Sequence, residues 1–309
     1  MLIRLVLALV LAAGPAAAQR ALYPDERLVR AAEQMGPSIR LVVSEDIPAA
    51  LPRERRAGMA DVDVAFVARA DQPLGFFSDL GTRTVVVPVE SLVFVDELSV
   101  LTAWFEARDC RGEYIQTYLW ALLRDGAPLP GPMEAFGVDY DAALENPFVT
   151  DVSNQIFNSV VLFVLAHEVG HLMLGHEGGL TGAASQAQEI AADGFALDYF
   201  AAVGMPPIDM ADYFVAARWL DPTGPATALG THPVTPGRLR AIADRLLSAP
   251  DSFTRVFADP ARGRELVLQA AAQLSQVAEL LADEGMITVA PMGLARDFPV
   301  SRLATACPS

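Results

Sequence analysis

The sequence predicts an α+β fold that is mostly helical with a small sheet, and three observations carry the prediction. Residues 39–43, 62–67 and 84–89 are short, valine-rich and bounded by Pro, Gly or Asp, as strands are. Apolar residues recur at helical spacing through much of the remainder, Leu98, Leu101, Trp104 and Phe105 being one example. No segment repeats at a period of roughly 20–50 residues, which sets aside solenoids and propellers.

In chain order, residues 1–18 read as a signal peptide. Arg4 supplies the positive start, residues 5–13 form a short apolar run, and Gly14-Pro15 breaks it. Ala16 and Ala18 then place small residues at −3 and −1 of a cleavage site. No cysteine follows the run, so a lipid anchor is not expected, and the mature chain starts at Gln19. The expectation is an exported, periplasmic protein of the bacterial envelope. Export places Cys110 and Cys307 in an oxidising compartment. A disulfide between them would tie the C-terminal tail to the first half and stabilise by about 3–5 kcal/mol; the other reading is two unpaired thiols.

Residues 19–150 mix strand and helix signals, with helices expected over 96–108 and 113–124. Residues 126–147 hold several prolines and glycines among acidic residues and read as a loop, a linker or a lid. A core follows over 151–250. Its first helix is very apolar, with Asp151 or Ser153 as cap, and runs through Ile156, Val160, Phe163 and Val164 to at least His171. A second opens at Ser185, with Gln188 in the capping-box position, and stops at Gly204. Helices over 208–220 and 235–247 complete that region. Residues 251–309 form a C-terminal helix and tail. The helix covers about 261–284, where Val267, Ala270, Leu274, Val277 and Leu281 step by three and four, as on a packed face. After the signal peptide no stretch reads as membrane-spanning; 157–174 comes nearest but carries two histidines and a glutamate.

Charge narrows the partner. The 309 residues contain no lysine, and 22 arginines face 38 acidic residues, a net charge of −16 with pI near 4.6. Such a chain is a poor match for nucleic acid or anionic lipid, and the charge does not settle what the partner is; the expectation of a polypeptide substrate rests on the motifs that follow.

The chemistry concentrates in two helices and one loop. His167-Glu168-Val169-Gly170-His171 is an H-E-x-x-H pattern on a predicted helix. Histidines four residues apart share a face, so both imidazoles can reach one tetrahedral zinc. Glu168 is turned toward the metal's water, whose proton it can accept. Two ligands do not hold a catalytic zinc. A further histidine six residues after His171 would supply a third, but that position holds Glu177. The better candidate is Glu189, eighteen residues beyond His171 on the next helix. Asp193, four residues on, shares its face and can accept a ligand histidine's free ring N–H, fixing its tautomer. His176 projects about 140° from His171 on a continued helix and is read as supporting the ligands. His232 has two readings: a transition-state donor or reversible extra ligand, or a loop histidine beside the turn-forming Pro233.

In order along the chain, HEVGHLMLGH, EIAAD and THPVTPGRL resemble the HtpX, BepA and Oma-type gluzincin peptidases (metallopeptidase family forty-eight). The matching positions are His167, Glu168, His171 and His176, then Glu189 and Asp193, then Thr231, His232, Pro233 and Arg238. The resemblance covers about 157–247 and implies a zinc endopeptidase with a zincin-type core. In such a core the HExxH helix packs against a glutamate-bearing helix and a small sheet, whose edge strand aligns substrate above the metal. Departures are the long preface at 109–154, the lack of transmembrane helices of the HtpX branch, and a tail with no counterpart. The resulting expectation is a periplasmic zinc metalloendopeptidase, one zinc per chain, acting in envelope protein quality control. The rival expectation is a zinc-containing polypeptide-binding chaperone or assembly factor that cuts rarely or never.

Overall fold

The computed structural model of the chain describes residues 21–70, 74–124, 127–208, 210–219 and 234–283. The expected signal peptide, His232, Cys307 and the tail beyond 283 lie outside the described residues. Helix α1 (Asp25–Leu41) opens the described chain. Residues 39–43, expected as a strand, are helical instead. Leu28, Ala31, Ile39, Val43 and Ile47 all fall on one buried face at steps of three and four, or multiples of them, so the 3.6-residue period overrides the local valine content. The helix widens at Val42–Asp46 before the turn Ile47–Ala50. Pro48 has no N–H to give the carbonyl four residues back, and its ring crowds that carbonyl.

The sheet has three strands, β1 (Asp63–Val67), β2 (Phe77–Asp79) and β3 (Thr84–Pro88), in the order β1-β3-β2. β1 runs parallel to β3 with Val64 opposite Val85, and β2 runs antiparallel with Ser78 opposite Val85. Because β3 is central, Val85, Val86 and Val87 are all buried, the continuous apolar pattern of a strand covered on both faces. β2 was not among the expected strands. Three residues, Phe-Ser-Asp, are too few to show alternation.

Helix α2 (Val89–Ala107) begins where β3 ends, seven residues before its expected start. Its first turns, rich in valine, are buried all round, so no polar face marks them as helical. Helix α3 (Glu113–Leu119) follows. Residues 127–146 form two short helical turns, Pro132–Ala135 and Tyr140–Leu144, packed against α2. Leu129, Met133 and Phe136 are buried, and Phe136 meets Phe105 edge-on at 5.2 Å. A Cβ on Gly131 would fall 2.6 Å from the Tyr23 ring and 2.7 Å from Glu97 Oε2, so only glycine allows this approach. The segment is therefore part of the packed core of the preface.

Helix α4 (Pro147–Leu174) starts four residues earlier than Asp151, because Asn146 caps it by accepting from the Phe148 N–H at 3.0 Å. It runs between α2 and α5 (Gly182–Val203). By length and composition α4 alone among the described helices could cross a membrane, and most of it is buried inside the protein. α5 begins at Gly182, so Ser185 lies inside its first turn and the expected capping box does not form. Helix α6 (Met210–Trp219) leans on α4. Helix α7 (Pro236–Ser248) is capped by Thr235, and α8 (Pro260–Ala282) by Asp259. α7 packs along α8 and against α5. Val267, Ala270, Leu274 and Leu281 are buried as their spacing predicts, and Val277 is half-buried. Side chains from Tyr23 to Leu281 contribute to one continuous apolar core.

Candidate metal centre

Two adjacent helices build the centre. α4 contributes His167, Glu168 and His171, and α5 contributes Glu189 and Asp193; all five are buried. Gly170 sets the distance between the helices. A Cβ there would stand 3.1 Å from Phe195 Cβ and 3.2 Å from Ala192 Cα, so the smallest residue lets α5 come close enough for its carboxylates to reach the imidazoles.

Nε2 of His167 and Nε2 of His171 are 3.0 Å apart. Glu189 stands between them, with Oε2 3.4 Å from His167 Nε2 and Oε1 3.4 Å from His171 Nε2. Nitrogen and oxygen ligands about 2.0–2.2 Å from one tetrahedral divalent ion lie about 3.3–3.6 Å from each other. The observed separations match that figure within a few tenths of an ångström, so this donor set fits one such ion.

The far side of each ring is held. Asp193 Oδ1 accepts from His167 Nδ1 at 2.8 Å, and His176 Nδ1 lies 2.8 Å from His171 Nδ1. Both imidazoles thereby turn Nε2 toward Glu189. His176 arrives there by a route the helical projection misses. Gly175 ends α4 in the left-handed conformation (φ +66°), and the chain folds back so that the His176 N–H donates to the His171 carbonyl.

Arg238, from α7, closes the network. Its Nε and Nη2 fork onto Asp193 at 2.8 and 2.7 Å, and Nη1 reaches Glu189 Oε2 at 2.9 Å. Burial opposes the charged form of Asp193, but Arg238 and His167 outweigh it and hold the carboxyl below its ordinary range. Burial likewise opposes the His167 imidazolium. Hydrogen bonds to Asp193 and Glu189 prevail and push its pKa up to about 10. Two carboxylates, Asp193 and Glu189, around one guanidinium leave a net negative pocket that favours an added cation, whether proton or metal. Behind the ligands stands an aromatic wall: Phe163 is stacked near His167, and Phe214 carries Arg238 over its ring at 5.6 Å.

Glu168 faces the sheet. Ser78 Oγ of β2 lies 2.6 Å from Glu168 Oε2 and 2.8 Å from its carbonyl oxygen, so the single hydroxyl proton serves one or the other. Arg83, at φ +53° in the β2–β3 turn, ties the hairpin to α4 by donating to the Leu172 carbonyl at 3.1 Å. Tyr213 of α6 stands on the same side: burial, then the Glu168 charge, push its phenol above the ordinary value.

The structure thus brings His167, Glu168, His171, His176, Glu189 and Asp193 together. His232 lies outside the described residues. So does Cys307; Cys110 is half-buried and is not a free thiol. Sequence reasoning missed Ser78, whose strand carried no signal. It named Arg238 only as part of the Thr-His-Pro tract, where an arginine opening a helix gives no sign that it faces inward.

No curated protein and no solved structure matches the chain. The family model of Peptidase U49 matches residues 117–206, less than a third of the chain. That stretch holds His167, Glu168, His171, Glu189 and Asp193. Over the residues that build this centre, the chain is similar to a peptidase family, Peptidase U49.

Proposed function

We propose that the protein is a zinc-dependent metalloendopeptidase of the bacterial periplasm that hydrolyses peptide bonds in polypeptide substrates. One observation supports this above the others: one ligand atom each of His167, His171 and Glu189 lies buried within 4.8 Å of the other two, with Glu168 held beside them by a strand edge. Two imidazoles and a carboxylate suit zinc, one ion per chain, with a fourth position left for a small molecule. The similarity to Peptidase U49 supports the reaction class. The order of HEVGH, EIAAD and THP supports a gluzincin of the HtpX type with a zincin-type core, and residues 1–18 support export. Turnover of envelope proteins is the role such a location favours.

Zinc, when bound, acidifies a water and polarises a scissile carbonyl. The chain supplies the rest. Glu168 takes the water's proton on a carboxylate oxygen and returns it to the leaving amine. Ser78 holds that carboxylate in place through its 2.6 Å hydrogen bond. Asp193 and His176 fix the ring tautomers, and Arg238 aligns the two carboxylates of α5. β2 lies at an edge of the sheet beside Glu168, where an extended substrate can pair with it as an added strand.

Zinc analysis and casein cleavage test the reading together. Glu168→Gln should keep zinc and lose about 10²–10⁴-fold in rate, the usual contribution of a general base. Glu189→Ala should lose zinc. Full activity in the first variant, or unchanged zinc in the second, would overturn the mechanism, and cleavage indifferent to a chelator would overturn the metal dependence.

A further inference from the structure

A cavity of about 330 Å³ lies between α2, α3, α4 and α6, and nothing in the metal centre uses it. Its walls are mainly apolar, with Leu98, Ile115, Ile156 and Val160 among them. The cavity is partly open, so an apolar group brought from outside can enter it and cover its apolar walls. A cavity of about 150 Å³ already holds a benzene-sized group, and this one has room for the largest natural side chains.

Its position connects it to the centre. Ile156 and Val160 lie eleven and seven residues before His167, three turns and two turns, so all three fall within about 20° of one line along α4. Val160 is therefore about 10 Å from His167 along the helix axis. Extended chain advances about 3.3 Å per residue. A substrate whose scissile bond lies at Glu168 thus brings a side chain two or three residues away to the cavity. Tyr213 connects the two: it is among the residues lining the cavity, and after burial the Glu168 charge contributes to raising its phenol.

We propose that this cavity is a specificity pocket for a bulky apolar side chain (Leu, Phe or Met) of the polypeptide substrate, two or three residues from the bond that is cut. The proposal rests on the peptidase reading and adds the substrate class. Thr102, half-buried on α2, and Ala216, buried on α6, line the pocket from opposite sides and lie outside the catalytic machinery. Thr102→Trp and Ala216→Met should each fill it.

The test profiles cleavage sites in unfolded casein by mass spectrometry for the full-length wild type and both variants. Wild type should favour Leu, Phe or Met at one fixed position. The variants should lose at least tenfold in kcat/KM at those bonds, the scale of a large side chain's burial. Bonds with Ala or Gly at that position should stay within about twofold. Identical profiles in all three proteins would overturn the pocket. A second arm uses the Glu168→Gln background and a fluorescein-labelled hexapeptide with one Phe, against its Phe→Ala counterpart. Tighter binding of the Phe peptide, erased by Thr102→Trp, supports the pocket even if no bond is cut, and the peptidase reading then fails alone. Cleavage without any discrimination makes the pocket fail alone. Cys110 also lines the cavity. If the Phe peptide binds only in Cys110→Ser or after reduction, the chain's own tail is the occupant and the proposal is overturned.

Discussion

Among single residues, Ser78 and Arg238 have the least visible roles and the clearest consequences. Ser78 is a small polar residue on a three-residue strand, yet its hydroxyl lies 2.6 Å from the Glu168 carboxylate. A hydrogen bond to a charged group contributes about 1.5–3 kcal/mol. Ser78→Ala should therefore lower kcat by about 10–100-fold with zinc content unchanged; a rate within twofold of wild type would remove Ser78 from the mechanism. Arg238 is buried and pairs with Asp193 and Glu189. Taking away one partner of a buried ion pair strands the other charges and costs about 3–5 kcal/mol. Arg238→Leu should shift the urea midpoint accordingly, and a midpoint equal to wild type would show that water compensates the carboxylates. Both residues lie far from the motif in sequence, so neither was legible as a partner of it.

At the scale of elements, the contact between α4 and α5 decides whether the ligands meet. Gly170 and Ala192 keep the helices close, and a larger side chain on either must push them apart. Gly170→Leu should reduce zinc content severely while helical content by circular dichroism changes little; stoichiometric zinc in a folded Gly170→Leu protein would show that the contact is slack. Helix α2 presents a different case: beside the exposed Glu106 it carries three acidic residues that are buried or half-buried. Glu90 accepts from the Leu22 N–H at 2.9 Å, and Glu97 pairs with Arg27 at 2.6 Å and accepts from the Tyr23 hydroxyl, so both anchor the N-terminal segment. Asp96, which accepts from the Tyr140 hydroxyl at 2.8 Å, has its pKa raised, chiefly by burial. An acid with a raised folded-state pKa adds nothing at low pH, where both states are protonated. It costs stability as pH climbs from the ordinary carboxylate value through the raised one, because only the folded state resists ionisation. Asp96→Asn should match wild type in urea midpoint near pH 3 and exceed it at pH 7. Equal midpoints at both values would mean that Asp96 ionises freely.

For the whole molecule, the centre joins helices that are otherwise distant in the chain. α4 and α5 contribute the candidate ligands His167, His171 and Glu189, α7 contributes Arg238, and the sheet contributes the partner of Glu168. A ligand bound only by the folded state stabilises it by about 4 kcal/mol at a thousandfold excess over Kd. Chelation should thus lower Tm by several degrees, and zinc should restore it in wild type but not in Glu189→Ala. A Tm indifferent to chelator would mean that the centre holds together without a metal.

Sequence by itself determined what depends on local spacing. HEVGH puts two imidazoles on one helical face, EIAAD repeats the four-residue step with carboxylates, and Val267 to Leu281 marks a packed stripe, because 3.6 residues per turn converts spacing into direction. Caps were less legible: α4 starts after Asn146, whose side chain caps it, and α5 after Thr181, whose side chain makes no capping bond, so neither starts at the residue expected to cap it. Only tertiary structure decided the rest. Residues 39–43 became helix because their buried face belongs to a longer period. Residues 127–146 joined the core because Gly131 allows contact with Tyr23 and Glu97. Ser78 reached Glu168, and Arg238 reached Asp193, across 90 and 45 residues of chain. Such pairings are set by how helices and strands pack in three dimensions, and no periodicity along the chain encodes them.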